Sequence, residues 1–186
     1  MIKFTTTALP GVTIIEPQIF PDERGYFFET FQAERYHSQG LPVKFVQDNF
    51  SHSKKDVVRG LHYQLERPQG KLVNVLSGRI LDIIVDIRLD SPTFGQHVAI
   101  ELDDKSHKQI YIPPGFAHGF CALSDNANVL YKCTDFYHKP SERGIIWNDP
   151  ELNLPWPVKT PILSPKDLVF SKLSEMAKDQ LPRYKA

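Results

Sequence analysis

The sequence predicts an all-β fold, a barrel or sandwich of short strands, and three observations carry that expectation. Short apolar segments recur along the chain without sustained helical periodicity. Turn residues separate them, with 15 prolines and 10 glycines as punctuation. Within residues 79–88, Leu81, Ile83, Val85 and Ile87 fall at every second position, so a strand there turns all four to one face.

Taken in chain order, strands are expected at residues 12–16 and 26–30. A short helix within residues 32–39 follows, closed by Gly40, which takes a helix C-terminus without steric cost. Strands at 43–50 and 57–63 come next. Residues 71–76, then Ser77-Gly78, then 79–88 read as two strands joined by a tight hairpin. Further strands are expected at 98–102, 109–112, 120–123 and 128–136, a density that suits a sandwich or barrel. A second helix is expected from Pro165 to about residue 180, with Ser164 as N-cap, Pro165 in the first helical position and Asp167 in the third.

At 186 residues, with no repeat or linker, one domain spanning 1–186 is expected, large enough to bury a core. Lys plus Arg and Asp plus Glu both total 22. A net charge of zero provides no general attraction to nucleic acid or to an anionic membrane. Residues 1–10 contain no apolar core of a leader, and no apolar run approaches a membrane span, so a cytoplasmic protein is expected. Cys121 and Cys133 are too few for a disulfide framework and lack C-x-x-C spacing. They read as buried thiols, although Cys121 closely follows His118.

The chemistry gathers in a few strings. In Val58-Arg59-Gly60-Leu61-His62-Tyr63-Gln64 a glycine sits inside a strand pattern, where it weakens the strand and calls for a reason. A close backbone approach would supply one. So would a bulge that re-aims His62, because strict alternation sends Arg59 and His62 to opposite faces. The plainer reading of a lone histidine is a half-buried, hydrogen-bonded one.

The string Ile112-Pro113-Pro114-Gly115-Phe116-Ala117-His118 matches the P-x-G-x-x-H half of a cupin signature. In metal cupins that histidine joins an H-x-H pair and a carboxylate. Here the corresponding place reads His62-Tyr63-Gln64, so one histidine is missing, and His62, His118 and Glu66 under-supply a metal site.

Six strings then carry a specific resemblance: Asp22-Glu23-Arg24-Gly25-Tyr26-Phe27, Val46-Gln47-Asp48-Asn49, Arg59-Gly60-Leu61-His62, Gln69-Gly70-Lys71-Leu72, Gly115-Phe116-Ala117-His118-Gly119-Phe120 and Trp147-Asn148-Asp149-Pro150. In this order and spacing they resemble the dTDP-4-dehydrorhamnose 3,5-epimerase family, from near the start to about Asp167. Pro114, where relatives often carry another residue, is a departure outside the chemistry. The resemblance implies a cupin-like jelly-roll β-barrel or sandwich with a few short helices, one of them at the C-terminus. It also implies a homodimer that epimerises dTDP-4-dehydro-6-deoxy-D-glucose at C3 and C5, on the way to dTDP-L-rhamnose, with no metal and no cofactor. The chain likewise lacks a G-x-G-x-x-G fingerprint and a G-x-x-x-x-G-K-[ST] loop.

C3 and C5 flank the C4 ketone, so their protons become acidic only where the enolate oxygen is stabilised. The resemblance implies His62 as base, Asp167 as its orienting partner, Lys71 facing the oxyanion and Tyr131 as proton donor on the opposite face. Read alone, Tyr131 is rather an inward barrel tyrosine, and Asp167 is equally the acidic member of an S-x-x-D capping box.

For the substrate, the resemblance implies Arg24 and Arg59 on phosphate oxygens, His118 beside sugar or phosphate, and Phe20 and Tyr137 flanking the base. Gln47, Asp48, Asn49, Glu29, Glu142 and Lys166 follow as polar contacts, with Glu29 reaching a partner subunit's site. Relatives that epimerise only at C3, or isomerise the ketone, remain alternatives. So do a metal-dependent cupin and a non-catalytic nucleotide-sugar binding module.

Overall fold

The computed structural model describes residues 1–42 and 44–184. Its strands are β1 (Lys3–Thr6), β2 (Thr13–Glu16), β3 (Ile19–Asp22), β4 (Gly25–Phe28), β5 (Gln47–Lys54), β6 (Val58–Gln64) and β7 (Lys71–Ser77). They continue with β8 (Arg79–Asp86), β9 (His97–Asp103), β10 (Gln109–Ile112), β11 (Phe116–Ala122), β12 (Asn126–Cys133) and β13 (Glu142–Gly144). One helix, α1, spans Ala33–His37. Gly40 closes it in a left-handed conformation, φ +80°, as expected. No helix among the described residues is long and apolar enough to cross a membrane.

Two antiparallel sheets face each other as a jelly roll, in the orders β1-β2-β10-β7-β12-β5 and β13-β6-β11-β8-β9. A separate hairpin, β3-β4, stands apart from both. Alternation decides what each face buries. Val73, Val75, Ile110, Ile112 and Val129 from the first sheet meet Ile80, Ile84, Leu102, Phe116 and Phe120 from the second in the main core. The face of β8 legible in the sequence, Ile83, Val85 and Ile87, lies on the outside of the second sheet, where the C-terminal segment covers it with Leu152, Leu173 and Leu181. Strand β8 is therefore buried on both faces, and its inward face carries Asp82 between Ile80 and Ile84.

Two expectations need correction. β7 and β8 do not pair as a hairpin; β7 lies between β10 and β12, and β8 between β11 and β9. Gly78 is instead a corner where the chain changes sheets, at φ +82°, with Asn126 O 2.2 Å from where a Cβ would stand. Alternation places Val75 and Ile80 in the same core, a demand that facing sheets meet as well as neighbouring strands do.

The continuous helix from residue 165 to about 180 is absent. Residues 173–175 and 178–180 form only single 3₁₀ turns. The backbone is satisfied by other segments: Ile146 N–H donates to Ser171 O at 3.0 Å, and Leu173 N–H to Asp149 Oδ2 at 2.8 Å. Spreading the segment lets Leu173 and Leu181 both reach the outer face of the second sheet. Strand boundaries shifted too, with β5 ending at Lys54 and β11 beginning at Phe116. Val43, expected to open a strand, lies outside the described residues.

Candidate active site

A cavity of about 670 Å³ lies between the sheets, lined by side chains from β5, β6, β7, β11, β12 and β13 and by the 162–167 segment. It brings together His62, Lys71, His118, Tyr131 and Asp167 with Arg59, Gln47, Asn49, Tyr137, Glu142 and Lys166.

The glycine of Arg-Gly-Leu-His works as a bulge. Opposite β11, the pairing steps from His118↔His62 to Phe120↔Arg59, three positions on β6 against two on β11. The extra residue turns Arg59 and His62 to the same cavity. Gly60 sits at φ +133°, and a Cβ there would come within 2.5 Å of Gly119 Cα, so two glycines allow the strands to touch.

His62 Nε2 lies 2.6 Å from Asp167 Oδ1. Asp167 is 2% exposed. Burial alone would raise its carboxyl, but the hydrogen bond from His62 and its charge outweigh burial and hold the group below the usual carboxylate range. An ionised carboxylate only accepts, so Nε2 carries a ring proton, and Nδ1 is the nitrogen left to exchange one with a ligand. Asp167 N–H also closes a turn on Ser164 O at 3.0 Å. The capping motif survives as this turn, while the side chain goes to His62.

Lys71 opens β7 and is enclosed in the cavity wall. Burial pushes its amine below the ordinary range, against the pull of Cys133, Asp82 and Glu142. Tyr131 reaches the cavity from β12, where burial raises its phenol, leaving it a neutral donor. β12 and β7 belong to the first sheet and β6 to the second, so His62 faces Tyr131 and Lys71 across the cavity.

His118 is held at Nε2 by Asp82 Oδ2, 2.9 Å away, with both residues buried. Burial lowers its imidazole and favours the neutral ring, against the pull of Asp82. On the rim, Glu142 accepts from Lys166 Nζ at 2.6 Å and from the Tyr137 hydroxyl at 3.1 Å. Gln47 donates to Asn49 Oδ1 at 2.9 Å and accepts from Tyr137 N–H at 2.8 Å, fixing Tyr137 to β5.

Four expected residues are not brought to this cavity. Asp48 alternates to the outer face of β5, where Lys132 pairs with it at 2.8 Å. Phe20, Arg24 and Glu29 belong to the β3-β4 hairpin and its exit, with Arg24 bound to Asp22 and Glu29 to Arg35. The motifs also do not single out Asp82, Ser51 or Ser53. Alternation from Gln47 and Asn49 reaches the two serines, and a lone acid among isoleucines of a buried strand marks Asp82.

Among the described residues no three His, Cys, Asp or Glu side chains cluster as metal ligands. His62 and His118 each have one ring nitrogen committed to a carboxylate, and Glu66 is exposed outside the cavity. Cys121 is buried with its thiol pushed up to about 11 by burial and by Asp56, so it remains protonated at neutral pH.

Fold and site together define a cupin-like barrel enzyme whose cavity holds an imidazole oriented by a carboxylate, with an amine and a phenol on the wall of the other sheet. The model of the dTDP-4-dehydrorhamnose 3,5-epimerase family matches residues 6–175. A dTDP-4-dehydrorhamnose 3,5-epimerase from Shigella flexneri is 52% identical over 164 residues, 87% of this chain and 91% of the relative. The dTDP-6-deoxy-D-glucose-3,5-epimerase of Legionella pneumophila, solved in complex with dTDP-4-keto-L-rhamnose, superposes with a TM-score of 0.97 at 50% identity, covering 100% of both chains. A dTDP-4-dehydrorhamnose 3-epimerase from Streptomyces niveus is 39% identical over 187 residues, 98% of this chain and 90% of the relative. The chain belongs to the dTDP-4-dehydrorhamnose 3,5-epimerase family.

Proposed function

We propose that this protein epimerises dTDP-4-dehydro-6-deoxy-D-glucose at C3 and C5 to dTDP-4-dehydro-L-rhamnose, without metal or nucleotide cofactor. The observation that carries this reading is the 2.6 Å His62–Asp167 contact, set across one cavity from Tyr131 and Lys71.

In this mechanism His62 Nδ1 takes the proton from the carbon beside the C4 ketone, and the C–H electron pair moves into the enolate. Asp167 stabilises the resulting imidazolium and keeps the ring in the correct tautomer. The Lys71 ammonium faces the enolate oxygen from the cavity wall, where a positioned charge stabilises it. Tyr131, from the opposing sheet, returns a proton to the other face of the carbon and inverts it. Exchange with solvent returns His62 and Tyr131 to their starting protonation, and repeating the step at C5 after C3 gives the double epimer.

The diphosphate is assigned to Arg59, with His118 beside the sugar, Tyr137 flanking the base, and Gln47, Asn49, Glu142 and Lys166 as polar contacts. Phe20, Arg24, Glu29 and Asp48 are assigned to a site shared across a homodimer. In support, the β3-β4 hairpin leaves Phe20 51% and Phe27 69% exposed, while its base stacks on His107 through Phe28 at 4.5 Å. Such aromatic surface fits a neighbouring copy. The cytoplasm is the compartment that suits a nucleotide-sugar substrate.

The second reading is epimerisation at C3 alone, favoured by the 39% identity to a 3-epimerase. Incubation of the substrate with the protein in heavy water, followed by NMR, separates the two. Deuterium at C3 and C5 supports the double epimerase, and deuterium at C3 alone the single one.

A further inference from the structure

We propose, resting on the nucleotide-sugar reading above, that Ser53 is a positioning residue that holds Arg59 as a preformed receptor for the substrate's diphosphate. The alternation that turns Gln47 and Asn49 into the cavity carries Ser51 and Ser53 to the same face of β5. Ser53 is 2% exposed. Its hydroxyl oxygen accepts from Arg59 Nε at 3.0 Å, and the His52 carbonyl accepts from Arg59 Nη2 at 3.0 Å.

What sets Arg59 apart is the combination of neutral acceptors with a place in the cavity wall; Arg143 also donates to neutral oxygens, the carbonyls of Pro140 and Glu142, but does not line the cavity. Arg24, Arg35, Arg67, Arg79, Arg88 and Arg183 are each paired with a carboxylate. Arg59, which lines the cavity, forms no such pair among the described residues. Two neutral oxygens fix the plane of its guanidinium on one edge and leave its charge uncancelled. Nη1 is left without a partner among the described residues, so that side of the fork is free for phosphate oxygens, which it matches in shape. Orienting the side chain before the ligand arrives removes part of the ordering cost of binding. Ser51 Oγ, two positions earlier, is buried without a hydrogen-bond partner, so the same stripe holds a spare hydroxyl toward the cavity.

The test is titration of dTDP, and of thymidine by competition, into the wild type, Ser53→Ala, Ser53→Thr, Arg59→Ala and the Ser53→Ala/Arg59→Ala pair, each checked for an unchanged thermal melt. Losing one hydrogen bond to a charged group, Ser53→Ala is expected to weaken dTDP about five- to tenfold. Thymidine, which has no phosphate, is expected to bind unchanged. Ser53→Thr, which keeps the hydroxyl and suits a strand, restores dTDP binding. In the Arg59→Ala background, removing Ser53 adds nothing.

Unchanged dTDP affinity in Ser53→Ala would overturn the assignment, as would equal losses for dTDP and thymidine, or a folded Ser53→Thr that binds as weakly as Ser53→Ala. A wild type that binds neither ligand would instead overturn the nucleotide-sugar reading, and the role of Ser53 with it.

Discussion

His62 and Asp167 stand 105 residues apart in the chain, yet their side chains meet at 2.6 Å, one from a bulged inner strand and one from the segment that closes the barrel's flank. Asp167 is expected to act through this contact alone. Replacing it with asparagine keeps the shape but removes the charge that fixes the imidazole tautomer and stabilises the imidazolium. We expect Asp167→Asn to lower kcat by about 10³-fold with KM little changed, as steady-state kinetics would register.

The same contact gives a pH signature in stability. Asp167 is held below its ordinary value of 3.8 in the folded protein, so its ionised form favours folding. That contribution is fully present above 3.8 and is lost as pH falls through the lower folded-state value. Urea melts of the wild type and Asp167→Asn, run side by side at neutral pH and at successively lower pH, should show a wild-type advantage that shrinks only in the acid range. An advantage that grew on acidification would contradict the assigned charge state.

Tyr131 is expected to separate exchange from inversion. In Tyr131→Phe, His62 still removes a proton, so deuterium from solvent still enters the sugar, but net inversion is lost at C5 as well as at C3. NMR of the product's ring protons reads both outcomes at once. Retained inversion at C5 would assign the acid to another group.

Gly60 allows β6 to bulge against Gly119, and a methyl group there would meet backbone at 2.5 Å in a conformation that L residues rarely adopt. Gly60→Ala is therefore expected to cost about 2–4 kcal/mol in urea denaturation. It should also lower activity more than stability, because the bulge aims both Arg59 and His62.

Much of this was legible in the sequence because alternation is a local property. Leu81, Ile83, Val85 and Ile87 share a face in any strand that contains them, and the structure keeps them together. Alternation does not say which sheet a strand joins. For that reason the Ser77-Gly78 turn reads as a hairpin, when Gly78 is a corner between sheets. The Pro165 segment carries good local signals for a helix, yet tertiary partners override them: Asp149 takes the Leu173 N–H, and His62 takes the Asp167 side chain. The glycine of Arg-Gly-Leu-His was informative because it broke a local rule, and the bulge explains the break. Asp82 stands out as an acid among isoleucines, but its role is not legible there, since it depends on His118 arriving from a neighbouring strand.

The most direct test of the central claim is to follow dTDP-4-dehydro-6-deoxy-D-glucose by NMR in heavy water with the wild type and with His62→Ala. The account predicts deuterium at both C3 and C5 with the wild type and none above background with the folded variant. Exchange at the wild-type rate in His62→Ala would contradict the assignment of His62 as the base, and a wild type that exchanges neither position would contradict the epimerase reading itself.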